Sequence, residues 1–286
     1  VLYQKVTGKE LEGAHDALND SRGCGRVYPY LRDKNPVLKE IGVPKIVLKA
    51  SDVAGIIGRS QYRPPLEVAD ELWSKYMPST FTGKTKEQIA MKAISTCNVA
   101  QDLLKDVEQF KSTNSSSVEQ KFRAVSNQLE KNSGLQKDEL DATRDHIRKT
   151  LYTNHGTRHE KTTADNYENM REDSTFYKYD VCTIKGTLYQ VVGRIDRVRD
   201  NEDGTKTLVE IKNRARGLFR AVRDYEEIQC QTYMEMLGMD ECALIEQHND
   251  KRLTHNIKRD RHMWNEQILP ALRNFCERFH DMLSTH

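Results

Sequence analysis

Three side chains in the middle of the chain have the types and spacing for metal-assisted chemistry on phosphate esters. Glu210 and Lys212 lie two apart in the run Thr207-Leu208-Val209-Glu210-Ile211-Lys212. Its β-branched content favours a strand, so the two project from one face while Ile211 points into the core. Asp196 ends an earlier run of the same character, residues 189–196. Residues 200–204 between the runs are polar and end in Gly204, the composition of a hairpin turn. Paired as a twisted hairpin, the two strands bring Asp196 beside Glu210, so that two carboxylates and an ammonium converge. Two hard oxygen ligands hold a divalent cation through part of its shell and leave places for water and a phosphate oxygen. The cation stabilises charge in the transition state and lowers the pKa of bound water, which the lysine orients or helps to deprotonate. The same three residues on an exposed hairpin are ordinary surface charges, so the flanking segments have to decide.

Upstream, residues 154–160 open an apparent helix and offer Glu160 as a third carboxylate; downstream, residues 227–237 read as a helix with Gln229 and Tyr233 on one face. The order Gly156-x-x-x-Glu160, Gly193-x-x-Asp196, Glu210-x-Lys212 and Gln229-x-x-x-Tyr233 resembles the PD-(D/E)XK nuclease superfamily, and within it the lambda-exonuclease and YqaJ-type viral recombinase group. The four-part order is more specific than any one part, and the resemblance covers roughly residues 45–280. It implies an α/β fold with a mixed central sheet flanked by helices. It implies a magnesium-dependent DNA exonuclease, with manganese as a substitute, that digests linear duplex DNA 5′ to 3′ in recombination or DNA-end processing. A viral or phage-like origin follows from the resemblance as well. The partners implied are duplex DNA ends, a single-strand annealing protein and further copies of the chain. In this reading Asp196, Glu210 and the Ile211 backbone carbonyl are metal ligands, with Glu160 as the supporting acid and Lys212 at the nucleophilic water. Gln229 completes the catalytic set, while Gln231 and Tyr233 face the substrate. A metal site does not encode polarity, so an endonuclease or structure-specific nuclease of the same fold stays open. So does a catalytically silent DNA-binding or assembly module.

These residues need a scaffold, and the length of 286 residues is enough to bury a core. Hydrophobic residues make up 37%, charged residues 31%, and the net charge is +2, so any basic surface for nucleic acid has to be local. No apolar run reaches membrane-spanning length, and no signal peptide is visible. Six scattered cysteines lack C-x-x-C spacing, which argues against a zinc ribbon or an iron–sulfur clasp and for reduced thiols in an intracellular compartment.

The opening, residues 1–40, reads as a partial tail plus linker, and residues 41–286 as the nuclease-like domain. His15 and Asp20 in the tail resemble the last active-site motif of DnaQ-like 3′→5′ exonucleases, but its other acidic motifs are missing, which would leave the pair orphaned. Ser51 heads a short apolar segment and can cap a helix. In the family such a serine also contacts a 5′-phosphate, usually with a preceding arginine. Here Lys45 and Lys49 stand in that region, which leaves strict 5′-phosphate dependence open. Thr82-Gly83-Lys84-Thr85 lacks the first glycine of a phosphate loop. Residues 86–110 and 118–152 read as long helical tracts, an insertion within about 80–150 that could be a lid, a channel wall or a partner surface. His155 and His159 have zinc-like spacing but no third ligand follows, so they read as residues flanking the site or on the helix surface. After Lys212, Arg214, Arg216, Arg220 and Arg223 form a basic loop that either contacts phosphates or is a solvated charge run. Residues 241–248 and 252–258 read as a hairpin, and 264–283 as a closing helix kinked at Pro270.

Overall fold

β-branched and aromatic runs alternate with helical ones from Lys45 onward, and a computed structural model shows how they assemble. It describes residues 40–285 apart from 113, 166 and 168; the DnaQ-like tail with His15, Asp20 and Cys24 lies outside the described residues. The strands are β1 (Lys45–Lys49), β2 (Met170–Glu172), β3 (Tyr177–Ile184), β4 (Thr187–Gly193), β5 (Arg197–Asp200), β6 (Lys206–Asn213), β7 (Glu241–His248) and β8 (Lys251–Lys258). The helices are α1 (Val53–Ile56), α2 (Pro65–Tyr76), α3 (Lys86–Thr96), α4 (Asn98–Gln109), α5 (Ser115–Asn132), α6 (Lys137–Ala164), α7 (Asp224–Leu237), α8 (Arg261–Met263) and α9 (Leu269–Ser284). The architecture is α/β with mixed sheets flanked by helices, as expected. The strands form two groups, ordered β1-β4-β3 and β2-β5-β6-β7-β8.

The hairpin around Asp196 differs from the sequence reading. Residues 189–193 belong to β4, which pairs with β1 in parallel and β3 antiparallel rather than with β6. The chain leaves that group after Gly193, passes through Asp196, and enters β5, which is the true antiparallel partner of β6. The reason is burial: Tyr189 and Val191 lie in the core between β1 and β3, and a strand covered on both edges suits such a run. β6 and β7 are parallel, and α7 makes the crossover between them.

α7 starts with Asp224, Glu226 and Glu227 at the positive end of its dipole, and Gly238 in the left-handed conformation ends it. The helical insertion has its own apolar cluster, in which Leu103, Val107, Val118, Leu129, Ile147 and Leu151 are buried. The expected tract 86–110 breaks at Cys97 into α3 and α4. Thr85, from the rejected phosphate loop, is the N-cap of α3, in a reciprocal capping box with Gln88. At the carboxyl end, a π-helical segment at Trp264–Ile268 precedes α9, so the irregularity sits just before Pro270. Among the described residues no helix is long and apolar enough to cross a membrane.

Candidate active site

The antiparallel register of β5 and β6 pairs Arg197 with Val209, which sets Asp196 opposite Glu210. The backbone N–H of Ile211 donates to Asp196 Oδ2 at 2.7 Å and fixes that carboxylate against β6. Ile211, expected to offer its carbonyl, is thus tied to the site through its amide. Lys212 Nζ donates to Glu210 Oε1 at 2.6 Å and to Gln229 Oε1 at 3.3 Å, while Gln229 Nε2 donates to the same Glu210 oxygen at 3.0 Å. Asp196, Glu210, Lys212 and Gln229 therefore meet at one point, where β5, β6 and α7 converge.

Electrostatics at this point are those of crowded, buried acids. Burial and then the neighbouring Glu210 push the Asp196 carboxyl well above the usual carboxylate range. Burial pulls on the Lys212 ammonium in the opposite sense, but Glu210 and Asp196 outweigh it and raise its pKa. Lys212 is thus held as an ammonium that donates to Glu210 and Gln229. An excess of buried acid over cation, made of hard oxygens, is a donor set that fits a divalent cation displacing a proton. Among the described residues no group of three or more His, Cys, Asp or Glu side chains is arranged to hold a metal ion. A cation here would rest on Asp196 and Glu210, completed by backbone oxygen and water.

Glu160 reaches this centre indirectly. It lies near the end of α6, a 28-residue helix, rather than at the start of one. Its Oε1 accepts from Arg197 Nη1 at 2.9 Å, and the same nitrogen donates to the Asp196 carbonyl at 2.6 Å. Arg197, which also pairs with Glu172 at 3.1 Å, is thus the link between Glu160 and Asp196. Sequence reading missed it, although period-two alternation places the neighbour of Asp196 on the opposite face, toward α6.

Several expected substrate-binding residues have other tasks. Arg214 turns inward: its guanidinium pairs with Glu226 Oε1 at 2.7 Å and with Glu246, both carboxylates being buried. It also lies 4.1 Å from the ring centre of Phe219. Arg216 pairs with Glu119 on α5 at 3.1 Å. Gln231 is 2% exposed and spans the Lys258 carbonyl at 2.9 Å and the Asp260 N–H at 2.8 Å, away from the carboxylates. Ser51 is not a helix cap; it sits in a 3-10 turn, Ala50–Asp52, whose cap positions make no side-chain hydrogen bond. The histidines 155 and 159 face Ser112, with Ser112 Oγ 2.9 Å from His155 Nδ1, so His155 is a satisfied buried residue.

Ser51, Lys49, Arg194 and Tyr233 do share one feature: they line a single cleft of about 490 Å3. Tyr233 packs its ring on Gly193, where an added Cβ would lie 2.5 Å from Tyr233 Cε1. Lys49, Lys75 and Arg194 also line this cleft, with the Lys49 charge acting on Asp52 in the same wall. Arg63, also in its wall, is matched by Asp52, Glu67 and Glu71. The charged lining of the cleft sets Lys49, Arg63, Lys75 and Arg194 against Asp52 and Glu71, an excess of positive charge.

The family model of the PD-(D/E)XK nuclease superfamily matches residues 89–281. Among solved structures, SSO0001 is similar at a TM-score of 0.39 and 15% identity, covering 63% of this chain and 84% of that one. The alkaline exonuclease LHK-Exo from Laribacter hongkongensis is similar at 0.36 and 15%, covering 68% of this chain and 95% of that one. Its complex with dAMP is similar at 0.36 and 15%, covering 70% and 95%. Comparison with curated proteins gives no match.

Proposed function

The chain belongs to the PD-(D/E)XK nuclease superfamily, and on that premise we propose that it is a magnesium-dependent deoxyribonuclease that degrades linear duplex DNA from its ends, 5′ to 3′, in recombination or end processing. The observation that carries this reading is the closed hydrogen-bonded set of Glu210, Lys212 and Gln229 with Asp196 beside it. When bound, a divalent cation would supply charge stabilisation for the phosphate and a more acidic water. The protein's own residues do the rest. Asp196 and Glu210 would hold the cation, with Asp196 fixed by the Ile211 amide. Lys212, kept as an ammonium, donates to and orients the water, and Gln229 holds both Lys212 and Glu210 in place. Arg197 and Glu160 brace the backbone at Asp196.

End recognition is supported by the cleft lined by Ser51 and Lys49, whose ammonium suits a terminal phosphate. Lysine is a point charge without a bidentate fork, so a 5′-phosphate should be preferred over a 5′-hydroxyl only modestly. Initial rates on end-labelled duplexes with either terminus, beside a circular control, with and without magnesium, test this. Asp196→Asn, Glu210→Gln and Lys212→Ala should each lower the rate by roughly 100-fold or more, because the three act as one unit. Normal cleavage by a folded Lys212→Ala variant removes the mechanism, and faster cutting of the circle makes the protein an endonuclease.

A further inference from the structure

Three large hydrophobic side chains stand exposed among the described residues: Tyr62, Met91 and Phe176. Tyr62 already packs edge-on against Tyr225, ring centres 5.5 Å apart. Met91 is an isolated residue on α3. Phe176 differs from both. It is 65% exposed, and it lines the same cleft as Ser51, Lys49, Gly193, Arg194 and Tyr233. An aromatic ring in water with no apolar cover costs solvation free energy that a purely structural residue would avoid.

The ring is held in place. Asp173 accepts from the Thr175 N–H at 2.9 Å and from the Tyr177 hydroxyl at 2.7 Å, which ties both neighbours of Phe176. Those hydrogen bonds hold the Asp173 carboxylate below its usual range. Arg194, two residues before Asp196, places its guanidinium 5.9 Å from the ring centre of Phe176. An exposed aromatic ring beside the Arg194 guanidinium, at the edge of a cleft with an excess of positive charge, is the pairing that grips a nucleotide: base on ring, phosphate on cation.

We propose that Phe176 is a stacking platform for one nucleobase of the strand seated in this cleft, with Arg194 holding the adjoining phosphate. The platform rests on the reading of the protein as an enzyme acting on DNA, and it adds a base-dependent contact to a site otherwise built to hold phosphate. Stacking accepts any base, so the contact grips a nucleotide without selecting sequence. It requires the base to be out of its pair, so it favours a frayed or separated strand end over an intact duplex.

Equilibrium binding in calcium separates this contact from turnover. The substrates are duplexes with short single-stranded ends in which an abasic nucleotide is moved one position at a time along each strand. Wild type should lose roughly 5- to 100-fold in affinity at one position. Phe176→Ala should lower affinity for the intact strand and abolish that dependence, whereas Phe176→Trp should keep it. Arg194→Ala should weaken intact and abasic substrates alike and flatten the salt dependence. A 2-aminopurine at the sensitive position should be quenched on binding to wild type and not to Phe176→Ala. If wild type binds intact and abasic strands equally at every position, or if Phe176→Ala retains the position-specific loss, the platform is overturned. Cleavage by wild type, measured separately in magnesium, reports on the nuclease reading alone: base-dependent binding without cleavage would overturn that reading and leave the platform standing.

Discussion

A methyl group added at Gly193 would lie 2.5 Å from the Tyr233 ring and 2.8 Å from the Ala50 Cβ, both closer than packed atoms tolerate. Gly193→Ala should therefore cost about 1–3 kcal/mol, read from the urea midpoint, by forcing α7 away from β4. Because Gln229 rides on α7, activity should fall further than stability explains; unchanged activity in a folded variant would show that Gln229 has no positioning role. This glycine was legible as part of a motif, but its reason, the approach of Tyr233, is visible only in three dimensions. Glu210 with Lys212, and Gln229 with Tyr233, were legible because period-two and period-four spacing fix which side chains share a face, whereas Asp196 reaches Glu210 through β5 and not through the strand expected. Arg214 and Gln231 were misread because sequence shows charge and polarity but not the buried carboxylates or backbone groups that claim them. A second residue makes a pH test. Burial, with His159 next, lowers the His155 pKa to about 4. The folded state thus binds fewer protons than the unfolded state, whose histidine titrates near its ordinary value. Stability from this group is complete above the unfolded pKa, falls as pH drops from there to about 4, and is flat below. The loss totals up to about 3 kcal/mol. His155→Asn should shrink the fall in urea stability over that window, and an unchanged slope would assign it to other groups.

Arg214 joins three elements, leaving β6 and pairing with Glu226 on α7 and Glu246 on β7. Glu246 also accepts from the Phe219 N–H at 2.7 Å, so the loop after β6 is pinned by the same carboxylate. Arg214→Met should leave two buried carboxylates unpaired and cost about 3–5 kcal/mol in the urea midpoint. Arg214→Lys should recover little of it, since an ammonium cannot serve both acids through a planar fork. If Arg214→Met instead kept full stability and only weakened DNA binding, the arginine would face the substrate after all. At this scale the sequence reading placed β6, α7 and the β7–β8 hairpin, each bounded by turn residues or an amphipathic face. It failed where a tertiary choice decides. The run 189–193 is equally suited to pair with β6 or with β1 and β3, and its double-sided burial selects the latter. The helix containing Glu160 was read as opening at 154, after a tract ending at 152, where the structure has one continuous helix, Lys137–Ala164.

The helical insertion and the sheet core have separate apolar clusters, and α6 belongs to both: Ile147 and Leu151 pack among the insertion helices, while Ala164 packs on Ile211 of β6. The insertion was legible as helix but not as a wall, since nothing in its sequence says what it faces. In the structure, Arg148 and Lys149 on α6 line a groove of about 530 Å3 that shares Arg63 and Glu71 with the Ser51 cleft. Arg148 is paired with Asp145 at 3.0 Å on the exposed surface, an interaction of little worth, and Lys149 has no ion pair among the described residues. The groove lining mixes these cations with Glu67, Glu71, Glu87 and Asp145, and if duplex DNA leaves the cleft along the insertion, Arg148 and Lys149 are the contacts it would make. Replacing both with alanine should weaken binding of long duplexes and reduce the slope of log affinity against log salt by roughly one for each phosphate no longer neutralised. Binding of a duplex too short to reach the groove should be unaffected. The rate at saturating DNA should also hold, because neither residue touches Asp196, Glu210 or Lys212. Affinity titrations of a short and a long duplex across a salt series, for wild type and the double variant, give the answer. An unchanged slope on the long duplex would mean that the insertion faces something other than DNA, and the two cations would then belong to a partner surface.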